Sequence, residues 1–224
     1  MGDIFKLLKN KVYTGAYFDG SQPCRHEGKN RAGGLSPDHW DLHMERWKQT
    51  AENVAKMVSG CVLEVGCGRG PVVHHLIESH GIDAYGIDIS RHIISRPISP
   101  LVERRIMTQS IHATSFPDFI FDGILLLDVL EHIPYDFLHS TMQEIVRICK
   151  DDAVFMCTIP DNDDYIYSSD AGLREHYIVK SPSWWEAELK DYITDFEVIK
   201  NDEYPFNMAP NNTFFRGKLI RCRD

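Results

Sequence analysis

Val62-Leu63-Glu64-Val65-Gly66-Cys67-Gly68-Arg69-Gly70 is the stretch whose reading decides the fold. An apolar, β-branched run with one carboxylate inside it ends in three alternating glycines, and Val72, Val73 and Leu76 then follow at helical spacing. The pattern predicts strand, tight loop, helix. Without Cβ atoms at Gly66, Gly68 and Gly70 the backbone can take left-handed dihedrals, and a ligand can lie against the peptide planes. The helix N-terminus beyond offers free N–H groups. Such a loop suits a nucleotide-like ligand with an anionic group; a β-turn that needs glycine only for its geometry is the alternative.

Two features narrow the ligand. A dinucleotide site uses G-x-G-x-x-G, but here the third glycine comes one residue early and Pro71 stands where that motif has glycine. A nicotinamide or flavin dinucleotide is therefore disfavoured. The second feature is Ala84-Tyr85-Gly86-Ile87-Asp88-Ile89-Ser90, an apolar run ending on a carboxylate one strand-helix-strand unit later. A carboxylate at that strand end can accept both hydroxyls of a ribose.

These residues resemble the class I S-adenosylmethionine-dependent methyltransferases. Val62 to Gly70 is similar to their E/D-x-G-x-G-x-G signature, and Asp88 matches the acidic residue ending their second strand. The likeness continues through Phe121 to Ile133, similar to the family's fourth strand and following loop, then through Glu144 to Lys150 and the apolar strand Ala153 to Ile159. It spans roughly residues 60 to 160 and is nearest to the ubiquinone and sugar methyltransferase group. It implies an α/β fold: a doubly wound, seven-stranded Rossmann-like sheet whose last strand runs antiparallel.

By this resemblance Glu64 orients the glycine loop and the methionyl end, Gly66, Cys67 and Gly68 form the cradle, and Asp88 takes the ribose. Ile89 packs on adenine, and Asp128 faces the methionyl part. Where the family usually has Asp followed by Ala, an acceptor for the adenine amino group, this chain has His112-Ala113. A neutral imidazole nitrogen can still accept that bond. His132, carried into the cleft after the fourth strand, is the candidate general base, with a structural role as the alternative; His176 and Asp161 are weaker candidates. The cofactor implied is S-adenosylmethionine, with S-adenosylhomocysteine as product. Asp128-Val129-Leu130-Glu131 stands where base N-methyltransferases carry an Asn-Pro-Pro-Tyr type loop, so the expected acceptor is a small molecule, with a hydroxyl favoured. A catalytically silent S-adenosylmethionine-binding subunit and a nucleotide-dependent oxidoreductase are the alternatives.

Composition agrees with one globular domain. The 224 residues carry 43% hydrophobic and 25% charged side chains, ordinary values for a folded core. The net charge of -9 gives no basic field for phosphates, so nucleic acid is not an expected partner. The six cysteines are scattered without a C-x-x-C pair, which argues against zinc and disulfides and for a reducing cytoplasm. His39 and His43 lie four apart with no evident third ligand, so no metal site is expected. No apolar run is long enough for a membrane span.

The expected layout is a single methyltransferase domain over 1–224: an N-terminal arm or lid (1–35), a cofactor-binding core (36–160), a candidate substrate loop (161–182), and a C-terminal helix with closing strands (183–224). Ser36-Pro37-Asp38 reads as a helix start, and Trp40, Met44, Trp47, Ala51, Val54 and Val58 mark its buried face, with Gly60 ending it. A third strand is expected over Arg105 to Ile111, and a helix over 137–149. Arm and loop are the tyrosine-containing segments left to cover the acceptor, with Tyr17, Tyr165, Tyr167 and His176 as its expected lining.

Overall fold

A computed structural model of the chain describes residues 22–26, 29–33, 43–160, 168–169, 176–199 and 212–220. In chain order its elements are β1 (Gln22–His26), β2 (Lys29–Gly33), α1 (Met44–Met57), β3 (Cys61–Val65), α2 (Pro71–His80), β4 (Asp83–Asp88), α3 (Arg91–Ile94), β5 (Ile106–Thr108), β6 (Phe121–Leu127), α4 (Tyr135–Ile148), β7 (Cys149–Pro160), β8 (Ser168–Ser169), α5 (Pro182–Leu189), β9 (Ile193–Ile199) and β10 (Asn212–Leu219). Single 3-10 turns cover Pro100–Val102 and Leu130–His132.

Seven strands form one sheet in the order β5-β4-β3-β6-β7-β10-β9. β3 pairs parallel with β4 and with β6, and β6 pairs parallel with β7. β10 runs antiparallel between β7 and β9. The order reverses at β3, so the crevice of this open sheet lies between the carboxyl ends of β3, β4 and β6. The sheet expected from sequence is therefore present, its last strand antiparallel.

The central strands read as unbroken apolar runs because helices cover both faces. Along β6 the period of two sends Ile124 and Leu126 into a core with Leu138, Met142 and Ile145 of α4 and Trp185 of α5. Leu125 faces the opposite way, into a core with Trp47, Ala51 and Val54 of α1 and Val72, Val73 and Leu76 of α2. Each such side chain withdrawn from water contributes about 1.5–3 kcal/mol before entropy is charged against it.

Local departures from the sequence reading have physical causes. The start expected at Ser36 lies outside the described residues; α1 ends at Met57, and Val58 is already extended. Gly60, expected as the stop, is instead the turn into β3. It sits at φ +87, and a Cβ there would strike the Asp122 carboxylate, which accepts the Cys61 N–H at 2.8 Å. β5 is three residues long and not seven, because beyond Thr108 the chain folds over in a Ser110 to Ala113 bridge. α4 begins at Tyr135, two residues early. β7 absorbs the turn expected at Asp151-Asp152: it starts at Cys149, with Asp152 at φ +62 and a shift in register against β6 between Phe121 and Gly123.

The arm and the inserted segment meet. β1 forms a hairpin with β2 and pairs antiparallel with β8, Cys24 opposite Ser169 and Arg25 opposite Ser168, making a separate three-stranded sheet.

Candidate active site

The glycine loop is held from both sides. The Gly66 and Cys67 N–H groups donate to the Ile87 carbonyl at 2.8 and 3.1 Å, and the Gly70 N–H to the Cys67 carbonyl at 2.9 Å. Gly66, Gly68 and Gly70 have φ of +71, +55 and +80, the left-handed region in which a side chain is strained. At Gly66 a Cβ would also lie 2.7 Å from Val129 Cγ2, so the ends of β3 and β6 nearly touch there. Cys67 serves the loop itself: its side chain is buried, and a Cβ on Gly86 of β4 would come within 2.6 Å of its Sγ. A ligand meets Cys67 through the backbone only.

Asp88 closes the second side. Its Oδ2 accepts the Gly68 N–H at 3.1 Å and its Oδ1 accepts the Ser90 N–H at 2.7 Å. Each oxygen is thereby aimed, and each keeps capacity for one further bond. Burial pushes this carboxyl up to about 6, against the opposing pull of the two N–H groups.

Glu64 changes the reading of the helix N-terminus. It is buried, and the Val73 N–H in the first turn of α2 hydrogen-bonds to it. The protein's own carboxylate thus meets the positive end of α2, where a dinucleotide would place its pyrophosphate. Burial, augmented by the Asp88 charge, pushes Glu64 up to about 8, and its Oε2 has no hydrogen-bond partner among the described residues.

At the end of β6, Asp128 takes φ +54. Its N–H donates to the Thr158 Oγ1 at 2.9 Å, while its Oδ1 accepts from the Thr158 hydroxyl and from Asn212 Nδ2, each at 2.6 Å. Thr158 and Asn212, from β7 and β10, were not legible as site residues, because nothing local in either sequence marks a partner so distant along the chain. Burial raises the Asp128 carboxyl as well.

His112 and Ala113 follow β5. The His112 ring is fixed on α4, with Nδ1 3.1 Å from the Ser140 hydroxyl and its edge against Phe137 at a centroid distance of 5.2 Å. The next residues are clamped to the same helix, since Glu144 accepts from the Thr114 N–H and hydroxyl at 2.8 and 2.7 Å and from Arg147. Those donors outweigh burial and bring the Glu144 carboxyl down to about 2.

His132, on the 3-10 turn after β6, is partly exposed, and His176 packs edge-on against it at 4.7 Å between centroids. The approach is pinned by backbone: the Tyr177 and Ile178 N–H groups both donate to the Glu131 carbonyl, at 2.8 and 3.1 Å. Burial brings His176 down to about 4 and pushes Glu131 well up. Glu131 is 1% exposed, and neither carboxylate oxygen has a hydrogen-bond donor among the described residues. Tyr17, His39, Asp161, Tyr165 and Tyr167 lie outside the described residues.

The cofactor implied by the sequence resemblance fits this arrangement. A cradle that a Cβ would fill at Gly66, an aimed ribose acceptor in Asp88 and an orphaned buried oxygen on Glu64 are complementary to an adenosyl group joined to a cationic methionyl part. Four carboxyls raised by burial around one sheet edge favour a positive ligand over a phosphate.

Comparison with known proteins agrees. The O-methyltransferase resE of Aspergillus sclerotiorum is 24% identical over 185 residues, covering 77% of this chain and 69% of the relative. Among solved structures, the PH0226 protein of Pyrococcus horikoshii OT3 superposes with a TM-score of 0.63 at 18% identity, over 81% of this chain and 92% of that one. The 1,6-didemethyltoxoflavin-N1-methyltransferase of Burkholderia thailandensis, solved with 1,6-didemethyltoxoflavin and S-adenosylhomocysteine, gives 0.59 at 16% identity, over 83% and 82%. Residues 6–200 match the model of the methyltransferase domain family, and the chain belongs to that family.

Proposed function

We propose that the chain transfers a methyl group from S-adenosylmethionine to a hydroxyl of a small-molecule acceptor. The observation that carries the reading is the buried Glu64, its Oε2 unpartnered among the described residues, beside an intact glycine loop, while Asp88 has both oxygens aimed and free to accept from a ribose. When bound, the cofactor supplies a methyl on a sulfonium, a leaving group that departs as a neutral thioether without an acid.

The protein's share is alignment, which can offset ~7–11 kcal/mol of barrier. Asp88 accepts the ribose hydroxyls, and the Gly66 to Gly68 backbone lies against the methionyl chain. Glu64 and Asp128 offer carboxyls that the ammonium end would draw into the ionised form, Ile89 packs on adenine, and His112 with the Ala113 backbone meets the adenine edge. His132, on the 3-10 turn that follows Asp128, takes the acceptor's hydroxyl proton.

A hydroxyl acceptor is supported by the O-methyltransferase relative and by the Asp128-Val129-Leu130-Glu131 sequence after β6. The test is conversion of S-adenosylmethionine to S-adenosylhomocysteine against a panel of phenols, sugars, amines and thiols. Turnover confined to hydroxyl compounds is expected, and His132→Ala should abolish it while leaving cofactor affinity within about twofold. Turnover with amines alone would overturn the hydroxyl assignment; cofactor binding without turnover on any acceptor would favour a silent binding subunit.

A further inference from the structure

Behind the methyl-transfer cleft, Glu131, His132 and His176 bring one ligand-type atom each to within 4.8 Å of one another. Glu131 Oε1 and His132 Nε2 are 3.8 Å apart, and the two imidazoles meet edge to face. His74, His75 and Glu78 of α2 also bring one such atom each to within 4.8 Å of one another, but Glu78 is exposed and already pairs with His74 at 3.0 Å; the Glu131, His132 and His176 set joins two separate parts of the chain around an enclosed carboxylate.

The Glu131 carboxylate is the independent sign. It is almost wholly enclosed and lacks a hydrogen-bond donor on either oxygen among the described residues. The neighbouring Asp128 carboxyl adds to its cost. An ion in such a place needs a proton or a cation to be tolerable.

We infer that Glu131, His132 and His176 form a binding site for one divalent transition-metal ion, open on the His132 side towards the methyl acceptor. Mixed imidazole and carboxylate donors suit Zn²⁺, Co²⁺ or Mn²⁺ better than Ca²⁺. Three protein ligands leave a fourth position for water or for the acceptor oxygen, the pattern of a catalytic site. Bond lengths of about 2.0–2.1 Å put tetrahedral ligands about 3.4 Å apart, so side-chain rotation closes the present spread. The backbone is set for it, because the Tyr177 and Ile178 N–H groups fasten the segment bearing His176 to the Glu131 carbonyl.

As a binding site this is independent of the acceptor; as a catalytic device it rests on the O-methylation reading. With an ion held there, a hydroxyl at the open position would lose its proton more readily, to solvent water, and His132 would serve as a ligand in place of the base role proposed above.

The test uses the full chain stripped with a chelator, then titrated with Co²⁺ and with Zn²⁺ by visible absorption and calorimetry. One ion per chain is expected, with the intense visible bands of four-coordinate Co²⁺. Glu131→Gln, which keeps the side-chain volume, and His176→Ala should each weaken binding at least about tenfold, with thermal melts checking that both fold. No binding, or binding unchanged in both folded variants, overturns the site. Full turnover by stripped, ion-free protein would overturn the catalytic role of the ion and leave the methyltransferase reading standing. One bound ion without hydroxyl turnover would support the site and sink O-methylation.

Discussion

At the scale of single residues the site rests on two that do double duty. Asp88 orders the glycine loop through Gly68 and Ser90, and we assign the ribose to the same two oxygens. Asp88→Asn keeps the shape and removes the charge, so charge-assisted bonds of ~1.5–3 kcal/mol are weakened and S-adenosylmethionine affinity should fall about tenfold or more. The ligand prefers the anion, and the free carboxyl titrates near 6. Wild-type affinity should therefore drop as pH falls through 6 and stay flat in the variant. Calorimetry at pH 5 and 7.5 reads both; a pH-independent wild type would show that Asp88 does not meet the ligand as a carboxylate. Gly66 is the second such residue. Alanine there takes φ +71 and places its Cβ 2.7 Å from Val129, at a backbone cost of about 1–2 kcal/mol. Gly66→Ala should lower the melting temperature and abolish detectable cofactor binding, while Gly81→Ala, equally positive in φ but with nothing within 4 Å, should lower the melting temperature alone.

At the scale of elements, α4 holds in place the segment after β5 to which we assign the adenine edge. Glu144 of α4 receives two bonds from Thr114 and further bonds from Arg147, which also reaches Asp118. That clamp ties the segment after β5 to the helix. The Glu144 carboxyl is lowered from about 4.5 to about 2 in the folded chain, so its stabilisation is complete above 4.5 and is lost as pH falls towards 2. Arg147 is about one-third exposed, and screening reduces the contribution to about 1–2 kcal/mol. Denaturant melts of wild type and Glu144→Gln should differ by that amount at pH 7, and the gap should narrow steadily as pH falls from 4.5 to 2. A gap undiminished at pH 2 would show that the clamp works through packing and not through charge.

At the scale of the whole molecule, both hydrophobic cores are built from residues 47–219, while β1, β2 and β8 pair with one another in a sheet of their own. The arm and the inserted segment therefore belong to one cover, and we assign acceptor choice to that cover. Deleting residues 1–34 should leave a folded sheet that binds S-adenosylmethionine with acceptor turnover reduced at least about tenfold, and thermal stability should move far less. Truncated protein with full turnover on the same acceptor would place the acceptor site elsewhere. Among the described residues no helix is long and apolar enough to cross a membrane.

The sequence by itself determined the sheet and marked the glycine loop and Asp88 at its carboxyl edge. Strand β3 with its glycines, Asp88 and the apolar β6 are local signals: a period of two, a positive-φ requirement and a carboxylate at a strand end each need only neighbouring residues to be read. Strands β4 and β6 fall on the expected residues for that reason. Only the tertiary structure decided that Glu64 occupies the helix N-terminus, that Thr158 and Asn212 hold Asp128, and that His176 comes to rest against Glu131 and His132. Those contacts join residues far apart in the chain. No local periodicity encodes them; what sets them is the placement of β7 and β10 beside β6 and the backbone bonds from Tyr177 and Ile178 to the Glu131 carbonyl.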